Sequence, residues 1–328
     1  MQNDYQKYLI PNVIARLSNM ELRAKLVVEG FMAGLHKSPY HGFSVEFAEH
    51  RQYIPGDDLK FLDWKIFART ERYYIKQFEE ETNLKSYICL DISKSMDFSS
   101  QKEQTVKNKT KSLFKKVLNK SFEAADKNSD DVITKLEYAS YLAASLAYLM
   151  LMQRDAISLT TYDVKRQSYI PPRATPNNLR QILNTLTSIK PSNQTGTASS
   201  LNEIASGIKR RGLVIVLSDL FDEPEEVVKS LKHFRFMNNE VIVFQILDPI
   251  EMNFLEGNPV TLIDMETKEE MYSQPFAIQK AYKETIKEFL ENYKSQLKNN
   301  GIDYQVLSTE TSFDKALLTY LAKRTKLN

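Results

Sequence analysis

Short, almost purely apolar runs separated by segments of helical periodicity constrain the fold of this chain more than any other feature. The strand-like runs cover residues 86–90, 156–161, 213–217, 240–247 and 304–307. Continuous apolar strands of this kind are typically buried on both faces, and strands that alternate with helices form mostly parallel sheets. The sequence therefore predicts an α/β fold, in which a mostly parallel, Rossmann-like sheet carries helices on both faces.

Helical spacing predicts the layers that cover this sheet. The predicted helices span residues 135–152, 177–186, 199–209, 224–236, 276–298 and 312–323. A shorter strand at 166–170 is expected to end at Pro171, because proline cannot donate a backbone hydrogen bond to a neighbouring strand. A hairpin is expected around Gly257.

The chain divides into an N-terminal platform and a sheet domain that carries an insertion. Residues 1–84 are predicted to form the platform, with a helix at 13–34 and alternating strands at 43–47 and 72–78. Residues 85–328 are predicted to form the α/β domain. Residues 99–134 are rich in Lys, Asn, Ser and Gln at first and interrupt the alternation of strand and helix, so we interpret them as an insertion.

Composition excludes several classes of protein. A net charge of +2 over 328 residues gives no sign of a surface for nucleic acid. The lone cysteine, Cys89, lies inside an apolar strand, which excludes an internal disulfide framework and favours a core position. The longest apolar stretch, Tyr138–Met152, is too short to span a bilayer, and the N-terminus lacks a signal peptide, so we expect a cytoplasmic protein.

Oxygen-bearing side chains follow the first apolar strand. Asp91, Ser93 and Ser95 come directly after it, at alternate positions of a loop. Ligands of open α/β sheets bind at the carboxyl ends of the strands, and Mg²⁺ prefers hard oxygen ligands. The sequence therefore predicts a metal site at this edge of the sheet.

Two later loops complete the predicted ligand set. Thr197 precedes a helix in Thr195-Gly196-Thr197, and Asp219 ends the strand at 213–217 in Ser218-Asp219. Each segment taken alone also fits a helix cap or a turn. In this order the segments resemble the metal-ion-dependent adhesion site of von Willebrand factor A domains. That resemblance implies a divalent cation, usually Mg²⁺, held by Asp91, Ser93, Ser95, Thr197 and Asp219, with one coordination position left for an acidic group of a protein partner.

A second resemblance covers about residues 10–325 apart from the insertion. Its motifs are Gly42–Phe47, Arg51–Asp58, Leu62–Lys65 and Ala68–Arg69, followed by the helix start at Lys135. They are similar to the bacterial family catalogued as domain of unknown function 58. The resemblance implies a von Willebrand factor A-like domain that frequently pairs with MoxR-type AAA+ ATPases, and no established catalytic activity. It suggests an adaptor that works with such an ATPase in the assembly or activation of another protein complex.

The insertion contains a candidate calcium loop. Its ligand positions match an EF-hand, with Asp126, Asn128 and Asp130, the backbone carbonyl of Val132, and Glu137 as the bidentate last ligand. The departure is Asp131, which stands where the sharp turn of the loop favours glycine. A solvated acidic loop stays open as the alternative.

Catalytic patterns of the common hydrolases do not occur in this chain. The sequence contains no HExxH, no GxSxG, no Walker A and no GxGxxG pattern. We therefore expect a binding protein and not an enzyme. Two alternatives stay open: a Mg²⁺-dependent phosphatase-like hydrolase, because a metal with an open position can activate water, and a scaffold whose metal site has no function.

Overall fold

The computed structural model describes residues 11, 19–35, 50–52, 67–69, 71–76, 84–100, 133–192, 196–254, 260–263 and 270–325. Most of the predicted platform, including the strand at 43–47 and the family motifs at 53–65, lies outside the described residues. So do Asp126, Asn128, Asp130 and Val132 of the candidate calcium loop. The division into platform, sheet domain and insertion therefore stays a prediction.

A six-stranded, mostly parallel sheet forms the centre of the described structure. Its strands are β3 (Lys85–Asp91), β4 (Ala156–Tyr162), β5 (Arg166–Arg173), β6 (Leu213–Ser218), β7 (Glu240–Leu247) and β10 (Asp303–Ser308). The order across the sheet is β10-β7-β6-β3-β4-β5, and only the pairing of β4 with β5 is antiparallel. Two small antiparallel pairs stand outside this sheet: β1 (His50–Gln52) with β2 (Tyr74–Lys76), and β8 (Val260–Ile263) with β9 (Glu270–Ser273). The predicted α/β class with a mostly parallel sheet is confirmed.

Helices cover both faces of this sheet. They are α1 (Met20–Leu35), α2 (Lys135–Met152), α3 (Pro176–Ser188), α4 (Thr197–Gly207), α5 (Pro224–Phe236), α6 (Pro249–Asn253), α7 (Pro275–Asn299) and α8 (Asp314–Thr325). One hydrophobic cluster joins α1, α2, α3 and α8 to residues such as Ile88 and Leu90. A second cluster joins α4, α5 and α7 to Tyr87 and Cys89, because successive side chains of a strand point to opposite faces. None of the helices that the structure describes combines the length and apolarity needed to cross a membrane.

Two predicted strand boundaries are wrong. Strand β5 was expected to end before Pro171, but it continues through Pro171 and Pro172 to Arg173. It lies at the edge of the sheet, where a missing backbone donor on the outer side costs no ladder hydrogen bond, and its register with β4 shifts between Ile157 and Leu159, opposite the two prolines, so a missing donor on the inner side falls in an irregular part of the ladder. The strand expected at 72–78 begins at Tyr74 and not at Arg72, and residues 77 and 78 lie outside the described residues.

An ion-pair network ties the amino end of β7 to two helices. Glu240 lies 2.5 Å from Arg235 Nη1 of α5 and 2.6 Å from Lys323 Nζ of α8, and Lys323 also pairs with Asp303 of β10 at 3.1 Å. Burial by itself raises the pKa of Glu240, but hydrogen bonds and charge from Arg235 and Lys323 outweigh it and hold the pKa below its ordinary value.

Replacing Glu240 with Gln is expected to lower the free energy of unfolding by about 1 kcal/mol at neutral pH, the upper range for partly exposed ion pairs. Because the pKa of Glu240 is lower in the folded chain, its contribution is complete above the unfolded value of 4.5 and disappears as the pH falls through the folded value. Urea unfolding of the two proteins between pH 7 and pH 3 measures this convergence. A difference that persists undiminished at pH 3 contradicts the charge-based account.

Candidate metal centre

The predicted site lies at the carboxyl edge of the sheet, where the direction of strand order reverses. From β3 the chain goes to β4 on one side, and β6 is later placed on the other side of β3. The ends of β3 and β6 are therefore adjacent at a topological switch point, the usual place for ligands in such sheets. Asp91 ends β3, and Asp219 follows the last residue of β6.

The β3 loop brings its three predicted ligands together. Asp91 is 1% exposed, and its Oδ1 accepts a hydrogen bond from the Ser93 amide at 2.8 Å. A 3₁₀ turn over Lys94–Asp97 then folds the chain back, so that the hydroxyl oxygens of Ser93 and Ser95 lie 3.0 Å apart. The alternate spacing of these residues is thus converted into a compact group of oxygens by one tight turn.

The β6 loop contacts this group directly. The Ser218 hydroxyl donates to Asp91 Oδ2 at 2.6 Å, and it accepts from the Leu220 amide at 3.0 Å. Leu220 has φ of 53°, a left-handed conformation that turns the chain sharply after Asp219. Asp219 itself is 2% exposed and close enough to Asp91 for its charge to raise the pKa of Asp91.

Thr197 contacts the β6 loop through its backbone. It is the first residue of α4, and its amide donates to Asp222 Oδ2 on the β6 loop at 3.0 Å. The same connection touches the β3 loop through the Ser192 amide, which donates to the carbonyl of Ile92 at 2.7 Å. The three predicted loops therefore contact one another, but among the described residues the hydrogen bond of Thr197 reaches Asp222 and not Asp91, Ser93, Ser95 or Asp219.

Asp91 is buried without a cationic partner. Its hydrogen-bond donors, Ser93 and Ser218, are neutral, and no ion pair reaches it from any residue the structure describes. Burial first, and then the charge of Asp219, raise the pKa of Asp91 to about 7 against the opposing hydrogen bonds of the two serines. Buried carboxylates of this kind are normally paired or coordinate metals.

Lys135 is the functional candidate that the sequence reasoning missed. Its side chain is fully buried, and Nζ lies 2.7 Å from Asp219 Oδ2 and 2.6 Å from Oε1 of Glu251 on α6. Burial by itself lowers the pKa of Lys135, but the charges of these two carboxylates outweigh it and raise the pKa. The rings of Phe98 and Phe221 lie 5.9 and 5.2 Å from the ammonium. The sequence feature that could have identified Lys135 is its place in the first turn of a predicted helix, where the helix macrodipole disfavours a cation.

The donor set matches a hard divalent cation. Two oxygen ligands on adjacent vertices of an octahedral Mg²⁺ site, each about 2.1 Å from the ion, lie about 3 Å apart. The hydroxyls of Ser93 and Ser95 share a hydrogen bond at 3.0 Å, so their separation is also compatible with adjacent positions on such an ion. Within the described ranges, no three histidine, cysteine, aspartate or glutamate side chains gather as a metal cage. The candidate ligands that the structure brings together are the carboxylates of Asp91 and Asp219 and the hydroxyls of Ser93 and Ser95, and Thr197 stays a predicted ligand.

The one calcium-loop residue within the described ranges has a local role. The Glu137 carboxylate accepts from the Thr134 amide at 3.0 Å, and the Thr134 hydroxyl accepts from the Glu137 amide at 3.1 Å. This reciprocal capping box starts α2. Calcium binding by the loop stays a prediction.

Comparisons with known proteins point to one family. The profile of the family described as "Protein of unknown function DUF58" matches residues 49–130 and 117–292. Uncharacterized proteins of Mycobacterium tuberculosis and Mycobacterium bovis are each 23% identical to this chain over 260 residues, which cover 78% of this chain and 72% of each relative.

Two solved structures from Bacteroides species resemble this chain over most of its length. One is the conserved hypothetical protein BatB of Bacteroides thetaiotaomicron, with 15% identity and a TM-score of 0.43. The other is an aerotolerance-related membrane protein of Bacteroides fragilis, with 16% identity and a TM-score of 0.45. Each likeness covers 73% of this chain and 99% of the other. At these scores, neither likeness supports an argument about function.

Proposed function

The chain belongs to the DUF58 family of proteins of unknown function, and we propose that in this member the carboxyl edge of the sheet binds a divalent cation and, through it, an acidic side chain of a partner protein. The observation that carries the proposal is Asp91, a buried carboxylate whose described partners are all neutral, in a loop that also presents the hydrogen-bonded hydroxyls of Ser93 and Ser95. A cation at this point satisfies the charge that the protein leaves uncompensated.

Each residue has a distinct part in this proposal. Ser93, Ser95 and Thr197 supply neutral oxygens, and Asp91 and Asp219 supply negative charge, directly or through water. A bound Mg²⁺ keeps water or an external ligand wherever the protein does not fill its six positions, so it offers a binding point for a carboxylate. The proposed arrangement is that of a von Willebrand factor A-like domain with a metal-ion-dependent adhesion site.

We extend the proposal to the kind of partner. The resemblance to the family suggests a MoxR-type AAA+ ATPase in the cytoplasm, with this chain as an adaptor in the assembly or activation of another complex. The activity is binding and not catalysis, and it involves neither nucleic acid nor a membrane span. This step rests on analogy between families, and the cation site rests on the residues of this chain.

Capture of partners from an extract of the native cells tests the proposal. The unaltered chain is expected to retain its partner in Mg²⁺ and to release it in EDTA, and Asp91→Ala is expected to retain nothing in either buffer while keeping the circular dichroism spectrum of a folded protein. Mass spectrometry then shows whether a MoxR-type ATPase is among the retained proteins. Association that persists in EDTA contradicts the mechanism, whatever the partner.

A further inference from the structure

Lys135 places a second, covalently attached cation against the proposed metal site. Its ammonium lies 2.7 Å from Asp219 Oδ2, and both side chains are almost completely buried. The other carboxylate oxygen of Asp219 accepts the Phe221 amide at 3.3 Å. Asp219 is therefore already neutralised and hydrogen-bonded by the protein, whereas Asp91 has neutral partners. The two carboxylates of the predicted ligand set are thus unequal.

We propose that Lys135 is an internal competitor of the metal for Asp219. In the metal-free protein its ammonium holds Asp219 in place, and on metal binding the same ammonium repels the incoming cation. Lys135 thereby keeps the site weak enough for reversible occupancy. This inference rests on the proposed function and concerns the regulation of that same site.

Glu251 determines how strongly the ammonium of Lys135 acts on Asp219 and on a bound metal. Its Oε1 lies 2.6 Å from Lys135 Nζ, and its Oε2 accepts the amide of Asp248, so the carboxylate is fixed on α6. The backbone carbonyl of Glu251 also accepts the Tyr282 hydroxyl of α7 at 2.7 Å. Because Glu251 shares the positive charge, its neutralisation leaves the ammonium to act on Asp219 and on the metal without compensation.

Competition and a merely structural role predict different results for two variants. If Lys135 and Glu251 only support the fold of the site, both Lys135→Met and Glu251→Gln weaken metal binding. If Lys135 competes with the metal, the two variants change the affinity in opposite directions. Lys135→Met removes the repelling charge and strengthens binding, whereas Glu251→Gln exposes that charge and weakens binding.

Isothermal titration of the full chain with MgCl₂ alone measures this difference. We expect Lys135→Met to lower the Kd by about tenfold or more and Glu251→Gln to raise it several-fold, as charges at short range inside a protein allow. Lys25→Met is the matched control, because Lys25 pairs with Glu29 on the exposed face of α1. It is expected to leave the Kd unchanged.

Each outcome separates this inference from the function on which it rests. If the unaltered chain binds Mg²⁺ and Lys135→Met binds equally well or more weakly, the competition is refuted and the proposed function stands. If no variant binds, both fail. If Lys135→Met binds Mg²⁺ and the unaltered chain shows no binding, the result supports the competition and refutes the proposed function. If circular dichroism shows that Lys135→Met is unfolded, Glu251→Gln decides, and an unchanged or lowered Kd for that variant refutes the competition.

Discussion

Replacing Asp91 with Asn is expected to abolish the stabilisation of this protein by Mg²⁺ while leaving the metal-free protein at least as stable as before. The carboxylate is buried with neutral donors, so its charge costs free energy until a cation arrives. An asparagine at this position is able to keep the hydrogen bond from the Ser93 amide and to donate to Ser218 Oγ. The substitution therefore removes a cation ligand without removing the local hydrogen bonding.

Thermal unfolding in Mg²⁺ and in EDTA measures this effect. A ligand at a hundred times its Kd stabilises the folded state by about 2.7 kcal/mol. For domains of 150–250 residues this corresponds to a rise in Tm of about 5–10 °C. This chain has 328 residues, and the rise in Tm falls as a protein becomes larger, so we expect a rise near the lower end of that range. The unaltered protein is expected to show this rise, and Asp91→Asn is expected to show none.

Asp163→Asn is the matched control for this measurement. Asp163 follows β4 at the same edge of the sheet and is 3% exposed. Burial raises its pKa, but hydrogen bonds from Ser192 and Gln167 outweigh burial and lower it, so this carboxylate is satisfied within the protein. Asp163→Asn is expected to destabilise the metal-free protein and to keep the full response to Mg²⁺. A normal Mg²⁺ response in Asp91→Asn would remove Asp91 from the ligand set.

Replacing Lys135 with Met is expected to cost about 3–5 kcal/mol of unfolding free energy in the absence of metal. The substitution keeps much of the side-chain volume, but it leaves Asp219 and Glu251 as neighbouring carboxylates without their shared cation. Removing one partner of a buried ion pair is far more damaging than removing an exposed one, because the remaining charge is not returned to water.

Urea unfolding in EDTA measures the loss at Lys135. Lys25→Met is again the control, because the two side chains of its pair are 50% and 41% exposed. Exposed pairs of this type contribute about 0.3–0.5 kcal/mol. Equal effects of the two substitutions would show that the buried cluster tolerates an uncompensated charge and that Lys135 does not hold its two carboxylates together.

Most of the fold could be predicted from local patterns in the sequence. Continuous apolar runs located the parallel strands, and the helix predicted at 135–152 has the bounds observed for α2. Strand β5 was predicted too short because proline was weighed as a strand breaker, whereas its place at the sheet edge and the register shift opposite the prolines, which reduce that penalty, are properties of the whole sheet. Boundaries that depend on tertiary position are not encoded in local spacing.

The candidate site, like the fold, has residues that local sequence predicts and a residue whose role depends on tertiary contacts. Asp91, Ser93, Ser95, Thr197 and Asp219 were predicted to converge because polar residues at strand ends meet at one edge of a parallel sheet, and the structure places them in loops that contact one another. Their role as ligands stays a prediction. Lys135 was missed because its partners, Asp219 and Glu251, lie 84 and 116 residues further along the chain. The metal itself stays a prediction.

The two prolines of β5 have a consequence beyond the length of that strand. An edge strand offers its free backbone groups to any other extended chain, and sheets that end in such a strand are open to intermolecular growth and aggregation. Pro171 and Pro172 have no amide hydrogen to donate, and Arg166 and Arg173 place positive charge at the two ends of β5. Prolines and charged side chains are features that disfavour pairing of an edge strand with another chain, and β5 carries both.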